Sequence, residues 1–130
     1  MKTKQLKNKG AFGHSLKEMN DGTYALRKQV INIIREANNK GFNLPRIEVR
    51  IVSGGESNVC GYAYLNTNII HIHDKYMTYS KAFLTHVVLH EIVHAMTGFG
   101  HDEKCDLMCA MVPNKLSIIT AWNRFAHYIK

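Results

Sequence analysis

The chain has 130 residues, 45% of them hydrophobic, and a formal net charge of +7 at pH 7; that length supports one hydrophobic core and excludes a second domain of ordinary size. No apolar run approaches the ~20 residues of a membrane-spanning helix, and Met1 to Gly10 lack the apolar core of a signal peptide, so a cytoplasmic, non-membrane protein is expected. Three cysteines, an odd number, exclude a complete disulfide framework and fit a reducing compartment.

Residues 1–20 are polar and glycine-bearing and are expected to form a basic flexible N-terminal arm ahead of a single domain over residues 21–130. Lys2, Lys4, Lys7 and Lys9 equip that arm to hold phosphates without reading a base sequence, which makes nucleic acid one expected partner. Asp21 predicts an N-cap. Leu26, Val30, Ile33, Ile34 and Ala37 then line one face of a helix running through Asn38, with Gly41 as its stop. Arg46 to Ile51 alternates polar and apolar residues, the pattern of a half-buried strand, and Ser53 to Glu56 reads as a loop. Two more strands, Val59 to Leu65 and Ile69 to His73, flank the polar turn Asn66-Thr67-Asn68. His71 and His73 share one face of the later strand beside Asp74, and a solvated face or substrate edge is expected there.

A long apolar helix follows, starting from a cap at Thr78 or Ser80 and running without Gly or Pro to Gly98. A last helix after Pro113 is expected to turn Leu116, Ile119, Trp122, Phe125 and Ile129 towards the core. The order helix, three strands, helix, helix defines an α+β domain with a small three-stranded sheet.

The chemistry lies on the apolar helix, in His90-Glu91-Ile92-Val93-His94. Residues four apart differ by about 40° in bearing and lie roughly 6 Å apart, so both imidazoles can reach one tetrahedral ion. Glu91 is then placed to take a proton from the water that such an ion activates, as a general base. A catalytic zinc needs a third protein ligand and one open position. Gly98 and Gly100 permit a sharp turn after the helix, and His101 is the expected third ligand, with Asp102, Glu103 and Asp106 as competitors. His86, one turn before His90, diverges from a shared ion by about 80° and is expected to pack beside the site. Cys105 and Cys109 are expected as buried thiols; no C-x-x-C pair is present.

The stretch from His90 to His101 resembles the metzincin consensus of zinc peptidases, H-E-x-x-H followed by x-x-G-x-x-H, with one extra residue between His94 and Gly98. Leu107 to Pro113 resembles the Met-turn of those enzymes, with Met108 the better match and Met111 the reserve, and the strands over residues 61–73 look like those of small matrixin-type members. SprT-like minimal zincins resemble the chain nearly as closely; in that likeness Glu103 to Met111 is helical and no Met-turn exists. Both resemblances imply a zincin-like fold and a zinc-dependent metalloendopeptidase with one catalytic zinc on His90, His94 and His101 and with Glu91 as its base. Both imply a protein or peptide substrate. The likeness to zincins further implies that a peptide adds as a strand at Ile69 to His73, with Tyr64, Tyr76 or Tyr79 beside the developing oxyanion. The SprT-like resemblance implies a DNA-associated protease as the alternative function, and the net charge of +7 allows a nucleic-acid-associated zinc-binding module instead.

Overall fold

Polar residues open the chain and apolar stripes follow, and the fold sorts them into one sheet with helices stacked on one face. The computed structural model describes residues 2–6, 21–53, 59–74, 80–113, 115 and 117–129, with backbone alone at 2–6, 21, 22, 59 and 60. In chain order the elements are β1 (Lys2–Leu6), α1 (Asp21–Asn39), β2 (Glu48–Val52), β3 (Val59–Tyr64), β4 (Ile69–His73), α2 (Lys81–Thr97) and α3 (Ile118–Tyr128).

Apolar side chains at steps of three and four residues bury Leu26, Val30, Ile33 and Ala37 along one stripe of α1. The helix ends as its sequence requires. Gly41 takes φ of 94°, and the Phe42 amide folds back to donate to Ala37 O at 3.1 Å.

The sheet runs in the order β1-β3-β4-β2. β2 pairs with β4 in parallel, β3 with β4 antiparallel, and β1 with β3 in parallel. Opposed residues of the three later strands, Val49 with Ile70, Ile51 with Ile72 and Ala63 with Ile70, form the buried inner face. α1 packs on β2, α2 on β3 and β4, and the two helices touch, so both cover that face; α3 packs on the far side of α2. No helix among the described residues is long and apolar enough to cross a membrane.

The α+β order of helix, sheet and two helices is the expected one, with four differences in detail. Lys2–Leu6 belong to the sheet as a fourth, parallel strand, so this part of the expected arm is not loose chain. Polar sequence hides such a strand because an edge is held by main-chain hydrogen bonds and tolerates lysine. Residues 7–20 lie outside the described residues.

β4 is interior, paired on both sides, and therefore cannot take up a peptide as the zincin likeness implied. His71 and His73, expected on a solvated face, are buried at 0% and 5% exposure. His71 meets the rings of Tyr62 and Tyr64, and His73 Nδ1 lies 3.5 Å from Asp74 Oδ1. Ile119 is 74% exposed. Ser117 accepts from the Thr120 amide and starts α3 at Ile118, which turns Ala121, Trp122, Phe125 and Ile129 inward and Ile119 out; Leu116 lies outside the described residues.

Candidate metal centre

α2 is apolar all round and buried continuously from Phe83 to Ala95, as a helix between a sheet and another helix must be. Ser80 caps its start by accepting from the Phe83 amide at 3.1 Å. Gly98 closes its end with φ of 73°, donating to His94 O at 3.0 Å. A Cβ at Gly98 would also lie 2.8 Å from Asn66 Oδ1 in the β3–β4 turn. That turn fixes the helix end directly, since the Thr67 amide donates to Ala95 O at 2.8 Å.

This anchoring holds His90 and His94 one turn apart and fully buried. His90 Nδ1 donates to Leu107 O at 2.6 Å, and His94 Nδ1 donates to Phe99 O at 2.6 Å. With both Nδ1 protons directed at carbonyls, each neutral ring presents an Nε2 lone pair, and the two Nε2 atoms face each other at 2.9 Å. Burial, the largest cause, holds His90 well below the usual histidine range, with His94 beside it adding to the effect; burial likewise lowers His94 to about 4. His101 is exposed and also shifted downward by burial.

His101 comes to the same point from the segment after the helix. Its ring lies 5.3 Å from that of His90 and 4.8 Å from that of His94, and one nitrogen from each of the three residues falls within 4.8 Å of the others. Two opposed lone pairs repel unless a cation lies between them, and tetrahedral zinc wants nitrogens about 3.3 Å apart. The cluster fits such an ion with small adjustments, and it can hold a metal.

The three competing carboxylates face elsewhere. Asp102 Oδ1 accepts from the Lys104 amide at 3.0 Å, and Glu103 Oε2 from the Ala110 amide at 3.1 Å. Asp106 lines a small cavity of about 60 Å³ with His86. His86 is buried, stacked 6.3 Å from the His90 ring, and lowered to about 4 by burial against the opposing pull of Asp106. It packs beside the trio, as expected.

Glu91 points inward between α2 and β3. It is completely buried, and neither carboxylate oxygen has a hydrogen-bond partner among the described residues. Burial pushes its carboxyl well above the usual range. Gly61 of β3 makes room for it: a Cβ there would lie 3.1 Å from Glu91 Cγ and Oε2 and 2.8 Å from His71 O. An isolated glycine within a strand pattern was the available sign of such a close approach. The carbonyls of Leu107 and Phe99 carried no sign at all, because main-chain atoms are common to every residue. Tyr64 is buried on the sheet face away from Gly61, against His71, and is no candidate for the oxyanion; Tyr76 and Tyr79 lie outside the described residues.

A model described as the SprT-like family matches residues 27–118. The chain belongs to the SprT-like family. Members of this family are taken to be zinc metallopeptidases. No curated protein and no solved structure matches the chain significantly.

The metzincin likeness is thereby corrected. The extra residue between His94 and Gly98 is absorbed as helix, since α2 continues to Thr97 before Gly98 caps it. Met108 is buried and Met111 is 52% exposed, but the segment around them is no Met-turn of a matrixin. Nor is it the helix that the SprT-like likeness implied. Asp102 to Met108 forms consecutive turns, closed by the Asp102 amide on Met108 O at 2.9 Å and the Met108 amide on Cys105 O at 3.1 Å. Cys105 and Cys109 are free and half-buried in this SprT-like chain, with Cys109 Sγ donating to Cys105 O at 2.9 Å.

Proposed function

We propose that this SprT-like chain is a zinc-dependent endopeptidase, with His90, His94 and His101 as the metal ligands and Glu91 as the general base. The observation that carries the reading is the meeting of one nitrogen each from His90, His94 and His101 within 4.8 Å of one another, with the residue next to His90 in the chain, Glu91, a buried carboxylate that has no hydrogen-bond partner among the described residues. Burying an ionised carboxylate without partners costs several kcal/mol, which is why burial favours the protonated form of Glu91.

Bound zinc would supply Lewis acidity, making water nucleophilic near neutral pH and polarising the scissile carbonyl. The chain's residues do the rest. Leu107 O and Phe99 O fix the tautomer of His90 and His94, so that both present Nε2. Glu91 takes the proton of the attacking water and returns it to the leaving amine, and its raised affinity for protons suits that shuttle. His101, exposed, forms the side from which solvent and substrate enter.

Metal analysis with an activity readout tests the reading. One zinc per chain, cleavage of a mixed peptide library, loss on chelation and recovery with zinc support it; a chain that takes up no divalent ion at the trio refutes it.

Nucleic-acid association is the second reading, favoured by the net charge of +7 and by the lysines at positions 2, 4, 7 and 9. Retention on DNA that falls with salt and disappears on removing residues 1–10 supports it; no retention at low salt removes it.

A further inference from the structure

β2 ends the sheet on the side opposite β1, with β4 between it and the strand that meets Glu91. Its main chain is half used. The Glu48 amide donates to Asn68 O at 2.7 Å, and in a parallel ladder alternate residues face the partner, so Glu48, Arg50 and Val52 bond towards β4. The Ile47 carbonyl and both main-chain groups of Val49 and Ile51 therefore turn outward, and nothing among the described residues pairs with them. Alongside runs a groove of about 760 Å³, walled by Arg27, Ile31 and Ile34 of α1 and by Ile47 and Val49, with Arg46 exposed at its rim. Bonds within the fold hold it open: Asn38 Oδ1 accepts from the Leu44 amide at 2.7 Å, and Asn68 Nδ2 donates to Arg46 O at 2.6 Å. Its charge is one-sided. Arg27 and Arg46 have no ion-pair partner among the described residues, whereas the one carboxylate of the lining, Glu48, is held by Arg50, whose Nε and Nη2 both lie 2.5 Å from Oε2.

We propose that this groove docks an extended acidic segment of a partner protein, which adds to β2 as a further strand at the end of the sheet remote from the metal trio. The proposal does not rest on the peptidase reading. Main-chain bonds to Val49 and Ile51 supply affinity, apolar side chains on alternate residues enter beneath α1 against Ile31 and Ile34, and carboxylates meet the two free guanidinium groups of Arg27 and Arg46. A second copy of the chain does not fit. Antiparallel pairing of two β2 edges has its two-fold axis normal to the sheet, so a second α1 would lie over the added strand, about 4.8 Å from the first, where packed helices need about 8–10 Å. Nucleic acid presents phosphates but no alternating donors and acceptors to a strand edge.

Fluorescence anisotropy of a labelled octapeptide of alternating valine and glutamate tests the docking on the full chain. Arg27→Glu with Arg46→Glu should weaken its binding by about ten-fold or more, whereas Arg35→Glu with Arg124→Glu, the same change of charge outside the groove, should weaken it by less than about two-fold. Equal losses in the two pairs overturn the proposal, because they reduce binding to the net charge of +7. So does a parent that binds the octapeptide no better than a counterpart of alternating valine and lysine. Hydrogen exchange reads the ladder without any substitution. In the free protein the Val49 and Ile51 amides should exchange at least about 100-fold faster than that of Arg50, and the bound octapeptide should slow the Val49 amide. Unchanged exchange at Val49 with the peptide bound overturns the proposal, as does a parent that sediments as a dimer with Val49 already protected. A duplex oligonucleotide that displaces the peptide and leaves Val49 unprotected assigns the groove to nucleic acid and equally overturns it.

Discussion

His90 and Leu107 are joined by a 2.6 Å hydrogen bond from ring Nδ1 to main-chain carbonyl, across seventeen residues of sequence. The bond ties the turns after α2 to the helix itself and brings His101 round to the two helical histidines. Because the acceptor is a carbonyl, the geometry depends on how the 102–108 turns close rather than on the identity of Leu107. Gly100→Pro, just before His101, should therefore lower zinc affinity by ten-fold or more, roughly the loss seen when a ligand's support is removed, with far-ultraviolet circular dichroism unchanged. A zinc titration against a competing chelator checks this; unaltered affinity would show that the turn has slack.

His101 is the exposed member of the trio, so its removal should cost metal without costing the fold. His101→Ala is expected to weaken zinc binding by at least ~100-fold while the metal-free protein keeps its stability to within about 0.5 kcal/mol. Asp102→Asn, Glu103→Gln and Asp106→Asn should bind zinc like the parent. Retained zinc in His101→Ala would transfer the role to one of those carboxylates.

Gly61→Ala sets a methyl group 2.8 Å from His71 O and 3.1 Å from Glu91. The backbone oxygen cannot yield cheaply, so the substitution should destabilise the fold by about 1–3 kcal/mol and push Glu91 aside. Urea unfolding and peptide cleavage read the two effects. A fully stable, fully active Gly61→Ala would contradict the close approach.

In the metal-free chain, acidity pulls in two directions. His86 and His94 have folded values of about 4, below the usual 6.5, so their stabilisation is complete above pH 6.5 and is lost as pH falls towards 4. Glu91 is raised well above 4.5, so its stabilisation is complete below pH 4.5 and is lost as pH rises. The metal-free parent should accordingly be most stable at mildly acidic pH and weaken towards alkali. Glu91→Gln should hold its stability above pH 6.5. Urea midpoints from pH 4.5 to 8 in chelator test this, and parallel profiles for the two proteins would refute it.

The helix that brings His90 and His94 together was legible because its signal is doubly determined: the two lie four apart within an apolar stretch that ends in Gly98. His101 was legible for a related reason, as the glycines before it announce a turn. What escaped is held by the main chain. The Leu107 and Phe99 carbonyls leave no trace in sequence, and Lys2–Leu6 is a strand by virtue of pairing with β3, not of any apolar alternation. Strand order escaped also, although Ile70 to His73, buried on both faces, fits the interior position that β4 occupies. On α3 the inward set was legible at Trp122, Phe125 and Ile129 and missed at Ile119, which the first turn after the Ser117 cap points outward while Ala121 takes the buried place.

The most direct measurement compares the parent with Glu91→Gln for bound zinc and for peptide cleavage on the same preparations. One zinc in each, with cleavage reduced by about 10²-fold or more in the variant, is the result expected if the trio holds the metal and Glu91 moves the proton. Equal cleavage by the two proteins, or a parent that binds zinc and cleaves nothing, would contradict it.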